Sequence, residues 1–177
     1  WLHGVLEDQF NGEDIETHFD AFPQYIPYYH SIESFLDRID EPLLVESAIA
    51  WFCPSRVIGY AGTFDMLATM KDGSYALLDW KTSYKEKPDY QLADYRMQLG
   101  AYTQAIEQMY DIEIEQAHCA ISIYDPDKGE GQEAQIVSLD GTELIAQAGI
   151  MAQKTQQFFD DHYPGGQPFA ISVDKAA

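Results

Sequence analysis

"GTFDMLATMKDGSYALLDWKTS", residues 62–83, carries two aspartates fourteen positions apart and a lysine two residues after the second, inside otherwise apolar, strand-like sequence. Runs rich in branched and aromatic residues on either side of Lys71-Asp72-Gly73 predict a β-hairpin. A three-residue loop fits the break, with Gly73 supplying the left-handed conformation at its end. That loop length pairs Met70 with Ser74, and counting back sets Asp65 opposite Asp79 on one face. The two-residue period of a strand places Lys81 on that face as well. A two-residue loop would put the aspartates on opposite faces.

Working outward, "LLVESAIAWF" (43–52), "VIGYAGTFDMLATM" (57–70) and "SYALLDWKT" (74–82) read as three antiparallel strands. Upstream, Leu2, Val5, Leu6 and Phe10 share one face of a short amphipathic helix, with His3 and Glu7 as an i,i+4 pair. "FPQYIPYYH" (22–30), with two prolines, predicts an extended connector, and "SIESFLDRI" (31–39) a second helix with Ser31 as N-cap. Downstream of a polar connector, Leu92, Tyr95, Leu99, Tyr102, Ile106 and Met109 alternate at spacings of three and four, a strong helix signal. "AHCAISIYD" (117–125) and "EAQIVSL" (133–139) read as two more strands, and residues 141–163 as a long closing helix. This order implies an α/β or α+β layer fold, a central mixed sheet flanked by helices. At 177 residues the whole chain, 1–177, is expected to form a single domain, and its start at Trp1 inside helix-like sequence suggests missing N-terminal residues.

Composition narrows the function classes. A hydrophobic share of 46%, with twelve Tyr, nine Phe and three Trp, excludes a disordered chain. No apolar run approaches the length needed to cross a bilayer and no signal-peptide pattern opens the sequence, so an intracellular, cytoplasmic protein is expected. Cys53 and Cys119, without CxxC pairing, cannot build a zinc or iron–sulfur site from thiolates alone. The net charge of −20 argues against polyanionic partners unless local potential opposes it.

With 30 acidic and 10 basic residues, an acid-x-base tripeptide arises by chance about once or twice, so Asp79-Trp80-Lys81 gains meaning only from its setting. Two like charges across a hairpin repel and need a compensating cation, either the lysine or a divalent metal. Mg²⁺ takes a few carboxylate oxygens together with waters and phosphate, and the lysine can orient water and stabilise charge developing on phosphate. The alternative is an exposed hairpin salt bridge that contributes little.

"GTFD", "LLDWKTS" and "QLGAY", in this order, resemble the PD-(D/E)xK nuclease superfamily, in particular the RecB-type exonucleases such as the mitochondrial genome maintenance exonuclease. The resemblance implies a restriction-endonuclease-like core. It maps the metal-binding aspartates to Asp65 and Asp79, the catalytic lysine to Lys81, and a metal-coordinating main-chain carbonyl to Trp80. "LHGVLED" matches the family's first motif, making His3 a candidate ligand, of a kind that suits Mn²⁺ as well. Glu46 is a further carboxylate or simply a solvent-facing strand residue. Gln98 and Tyr102 match QxxxY and lie one helical turn apart, although Tyr102 also fits the core stripe.

Lys81, Lys85, Lys87 and Arg96 concentrate four of the ten basic residues around the motif. Tyr84, Tyr90 and Tyr95 lie in the same stretch, as stackers of single-stranded bases or as core. Spacing and strand geometry support only the metal site; the resemblance implies a Mg²⁺- or Mn²⁺-dependent deoxyribonuclease, an exonuclease on single-stranded DNA ends in repair, recombination or replication, with a helicase or replication partner and an open oligomeric state. Two rivals stand beside it: a catalytically silent nuclease-like module binding DNA or protein, and a CRISPR-adaptation or helicase-associated nuclease lacking its iron–sulfur cluster.

Overall fold

Five strands form one sheet in sequential order: β1 (Ile39–Cys53), β2 (Ile58–Met70), β3 (Tyr75–Ser83), β4 (Gln116–Asp125) and β5 (Glu130–Asp140). The computed structural model describes residues 1–53, 55 and 58–164, so Val57, where the second strand was expected to begin, and residues 165–177 lie outside the described part. Neighbouring strands run antiparallel except β3 and β4, which are parallel. A parallel step needs a crossover, and α4 (Ala93–Tyr110) provides it. Among the described residues no helix is long and apolar enough to cross a membrane.

The hairpin register is the one the loop length implies. Met70 N–H donates to the Ser74 carbonyl at 2.9 Å, Gly73 has φ +89°, and Met66 pairs with Leu78. Continuing that register by one residue sets Asp65 opposite Asp79.

Each face of the sheet is covered. On one side Leu2 and Leu6 of α1 (Leu2–Phe10) and Ile32 and Phe35 of α3 (Ile26–Leu36) pack on Met66, Ala68, Leu78 and Trp80. On the other, Leu99 and Ile106 of α4 and Leu144 of α5 (Gly141–His162) pack on Leu67, Leu77, Ile121 and Leu139. Gly100 is where α4 and α5 touch: a Cβ there would lie 2.6 Å from the Ala148 nitrogen and 2.8 Å from the Leu144 carbonyl oxygen. Backbone cannot yield as a side chain can, so any larger residue would push the helices apart. α5 is started by Asp140, whose carboxylate accepts from Thr142 and Glu143 N–H while Glu143 reaches back, a capping box. The outer edge of β1 is partly blunted by α4, whose Gln108 amide bonds both the N–H and the carbonyl of Phe52, at 2.9 and 3.0 Å.

Two expectations for the N-terminal third require correction. Residues 22–30 are not extended: α2 (Glu16–Ala21) is followed by a 3₁₀ turn, Pro23–Tyr25, and α3 begins at Ile26 with Pro27 in its first turn. Proline lacks only an N–H that the first helical turn leaves unused, so it starts this helix instead of excluding it. Ser31 is therefore mid-helix and buried, and its Oγ accepts the Ile123 N–H at 2.8 Å, joining α3 to β4.

His118, buried under α3, donates from Nε2 to Gln116 Oε1 and shares a hydrogen bond at Nδ1 with the Ser138 hydroxyl. Burial first, then Arg38, depress its pKa from 6.5 to about 4. The unfolded chain therefore binds a proton that the fold rejects between those values. The associated stability is complete above pH 6.5 and is lost as pH falls toward 4. The expected loss between pH 7.5 and 5 is about 2 kcal/mol. Urea midpoints at both pH values should fall further for the wild type than for His118→Gln; parallel falls would refute the assignment.

Candidate metal centre

Three carboxylates form a row across three strands. The β1–β2 register pairs Val45 with Met66 and Ser47 with Phe64, which sets Glu46 opposite Asp65, while the β2–β3 register sets Asp65 opposite Asp79. The regular ladder is interrupted along this row. Asp65 takes the place of a ladder bond with its side chain: Oδ2 accepts the Trp80 N–H at 2.6 Å. Glu46 has φ +44°, the left-handed region that a side chain disfavours. Such strain costs roughly 1–3 kcal/mol and persists where surrounding structure enforces it.

α1 brings His3 to the row. Its Nδ1 lies 3.4 Å from Asp65 Oδ1 and 3.8 Å from Glu46 Oε1. The ligand atoms of His3, Glu46 and Asp65 all lie within 4.8 Å of one another. The amphipathic pattern explains this delivery: Leu2, Val5 and Leu6 bury one face and leave His3 at its margin. His3 pairs with these acids, whereas Glu7, its expected i,i+4 partner, is exposed.

Asp79 and Lys81 occupy the inner end. Lys81 Nζ sits 2.6 Å from Asp79 Oδ2 and 5.9 Å from the centroid of the Tyr95 ring, which α4 lays beside it. The ion pair is not an aligned hydrogen bond, and Asp79 Oδ2, though buried, has no partner of hydrogen-bond geometry. Burial raises the Asp79 pKa, with Lys81 opposing and Asp65 reinforcing the rise. At Lys81 burial works against the charge, yet the Asp79 carboxylate outweighs it and the pKa ends up raised. Glu46 is raised by burial and by Asp65, and His3 is raised by its hydrogen bond to Asp65. Burial thus leads the rise at Asp79 and Glu46, while the neighbouring acids favour the charged forms of His3 and Lys81.

The donor set fits a divalent cation. Carboxylate oxygens suit Mg²⁺ or Mn²⁺, and the imidazole favours Mn²⁺. Among the described residues, His3, Glu46 and Asp65 are grouped closely enough to share one ion, with Asp79 next in the row. Trp80 presents its buried indole to Phe35 on the α3 side and its N–H to Asp65.

The remaining expected residues surround this row. Gln98 and Tyr102 lie half-buried on α4; a Cβ on Gly62 would meet the Tyr102 hydroxyl at 2.8 Å, so the GxxD glycine and this tyrosine are packed together. Lys85 is exposed and Lys87 half-buried in the connector after β3. Arg96 is engaged by Asp89 at 2.5 Å. Two neighbours escaped the sequence reading. Cys119 is the parallel-strand partner of Asp79, with a thiol pKa raised by burial and then by Asp79. Tyr95, a base stacker or core residue by sequence, is instead the ring beside the lysine. Neither role is legible without the β3–β4 register and the α4 packing.

A sequence profile of the PD-(D/E)XK nuclease superfamily matches residues 3–164. The chain belongs to this superfamily. The five-stranded mixed sheet between helices is its restriction-endonuclease-like core. Among solved structures, a protein from Eubacterium rectale named "Putative exonuclease" aligns over 98% of this chain and 71% of its own, at 10% identity and a TM-score of 0.56, a likeness of fold. A protein named SSO0001 aligns over 85% of this chain and 71% of its own at 15% identity, with a TM-score of 0.39. No curated protein sequence matches the chain.

Strain at Glu46 is expected to trade stability for metal binding. Glu46→Gly should stabilise the metal-free protein by about 1 kcal/mol, since glycine accepts this backbone freely. It should at the same time weaken Mn²⁺ binding. Denaturation midpoints and metal titration of the same variant check both halves.

Proposed function

We propose that this superfamily member is a metal-dependent deoxyribonuclease, acting as an exonuclease on single-stranded DNA ends. The observation that carries the reading is the convergence of Glu46, Asp65 and Asp79 in one row with His3 at one end and Lys81 at the other. A binding module has no use for three mutually repelling acids, two of them buried, and a lysine paired to the innermost.

His3, Glu46, Asp65 and Asp79 would hold Mg²⁺ or Mn²⁺, with the Trp80 carbonyl as a further donor. A bound divalent ion supplies an acidified water and neutralises charge on the phosphate. The chain's own part is positional and electrostatic. Asp65, tied to the Trp80 N–H, fixes the spacing of β2 and β3. Asp79 holds the Lys81 ammonium at the inner edge of the row, where it can orient the attacking water and stabilise charge growing on the phosphoryl oxygens. Tyr95 limits where that ammonium can swing. Lys85 and Lys87, on the connector that leaves β3, oppose the overall negative charge near the site and are suited to phosphate contacts, as is Arg96 once released from Asp89. Gln98 and Tyr102 support the row from α4. A helicase or replication assembly would supply the unwound ends, and repair or recombination is the setting in which such ends arise.

The test is cleavage of end-labelled linear and circular single strands with Mg²⁺, Mn²⁺ or EDTA. Degradation of linear strands only, abolished by EDTA, is expected. Intact DNA under every metal would overturn the enzyme reading, and cleavage of circles would overturn the exonuclease reading.

A further inference from the structure

Beside the metal centre, aromatic side chains continue outward and remain open to solvent. Trp1, two residues before His3, lies 5.9 Å ring to ring from Tyr25, which stacks on Phe22 at 6.2 Å. Tyr28, one helical turn beyond, meets Tyr124 of β4 edge-on at 5.4 Å. Tyr84 follows β3 directly, three residues past Lys81, and the parallel register that pairs Ser83 with Ile123, continued by one residue, sets it beside Tyr124. These rings do not close into a core: Tyr84 is 66% exposed, Phe22 46% and Tyr25 41%.

Surface aromatics of this size are costly to leave in water unless something covers them. Under the nuclease reading, their place in the chain beside His3 and Lys81 says what covers them here. With a net charge of −20 and ten Lys and Arg in the chain, phosphate contacts beyond those of Lys85, Lys87 and Arg96 can contribute little to holding a polyanion. Base–aromatic stacking needs no positive charge and accepts any base. We infer that Phe22, Tyr25 and Tyr84 form a stacking ridge that holds unpaired bases of single-stranded nucleic acid and feeds the strand to the metal centre. This rests on the nuclease reading and specifies how its substrate is gripped. Two consequences follow. Bases locked inside a duplex cannot stack on the ridge, so the preference is for unpaired strands. Salt should weaken binding only slightly, because few counterions are released.

The experiment measures anisotropy of a labelled thymidine 12-mer, the same 12-mer with abasic sites, and a hairpin duplex. Each binds Lys81→Ala protein in Mn²⁺, alone and combined with Tyr84→Ala or Tyr84→Phe. The expected results are at least tenfold weaker binding of the abasic strand and the duplex, and a similar loss for Tyr84→Ala. Tyr84→Phe should restore most of the affinity, and the slope of log K against log salt should be shallower than about −2. Because Tyr84 is two-thirds exposed, its substitution leaves the fold intact, which a thermal melt verifies. Equal binding of the thymidine and abasic strands, or no effect of Tyr84→Ala, would overturn the ridge. Cleavage by wild-type protein is followed in parallel. If the wild type cuts both strands while binding ignores the bases, the ridge alone fails. If it cuts neither while the bases still decide binding, the ridge stands and the nuclease reading fails.

Discussion

Lys81→Ala should reduce kcat for single-stranded DNA cleavage by roughly 10²–10³-fold, the usual cost of removing one oriented charge from a developing oxyanion. The expectation rests on placement: Nζ is 2.6 Å from Asp79 Oδ2, beside the Tyr95 ring, at the inner end of the carboxylate row. KM should change far less than kcat if, as proposed, the ammonium acts on the reacting phosphate and not along the strand. Lys81→Arg should not restore activity, since a planar, permanently charged guanidinium cannot take the place of a compact ammonium held between a carboxylate and a ring. Single-turnover cleavage of an end-labelled strand measures the effect. A variant within a fewfold of wild type would remove Lys81 from the chemistry.

Asp65→Asn should remove most of the stabilisation that metal confers while leaving the metal-free fold at least as stable as wild type. The asparagine oxygen can still accept the Trp80 N–H, a 2.6 Å bond in the wild type, so the backbone link between β2 and β3 survives. What disappears is the central charge of the row, which repels Glu46 and Asp79 when no cation is present. A ligand at a hundredfold excess over Kd stabilises a protein by about 2.7 kcal/mol. The wild type should therefore melt higher in Mn²⁺ than in EDTA, and Asp65→Asn should lose most of that difference together with its nuclease activity. Equal metal-induced shifts in the two proteins would take Asp65 out of the ligand set.

Where sequence reading succeeded, the deciding interactions were local. The strand alternation, the Lys71-Asp72-Gly73 loop and the period of α4 are all fixed by neighbours a few residues apart, so their consequences could be counted along the chain. The failures were just as physical. Pro23 and Pro27 read as breakers of helix, and only the packing of Ile32 and Phe35 on the sheet shows that Pro27 opens one. Glu46 could not be told from a solvent-facing strand residue, because its place depends on an interrupted pairing with β2 and a left-handed backbone that no residue type announces.

By itself, then, the sequence determined the hairpin, and with it the register that sets Asp65 against Asp79 and Lys81 beside them, since turn length and a two-residue period leave one arrangement. Tertiary structure alone decided the rest of the centre. It carried His3 across sixty-two positions to within 3.4 Å of Asp65, set Glu46 in the row, and placed Tyr95 over Lys81 and Cys119 beside Asp79. These contacts join α1, β1, α4 and β4 to the hairpin, and their geometry follows from which apolar faces the helices bury, a property of the packed core that no stretch of sequence holds on its own.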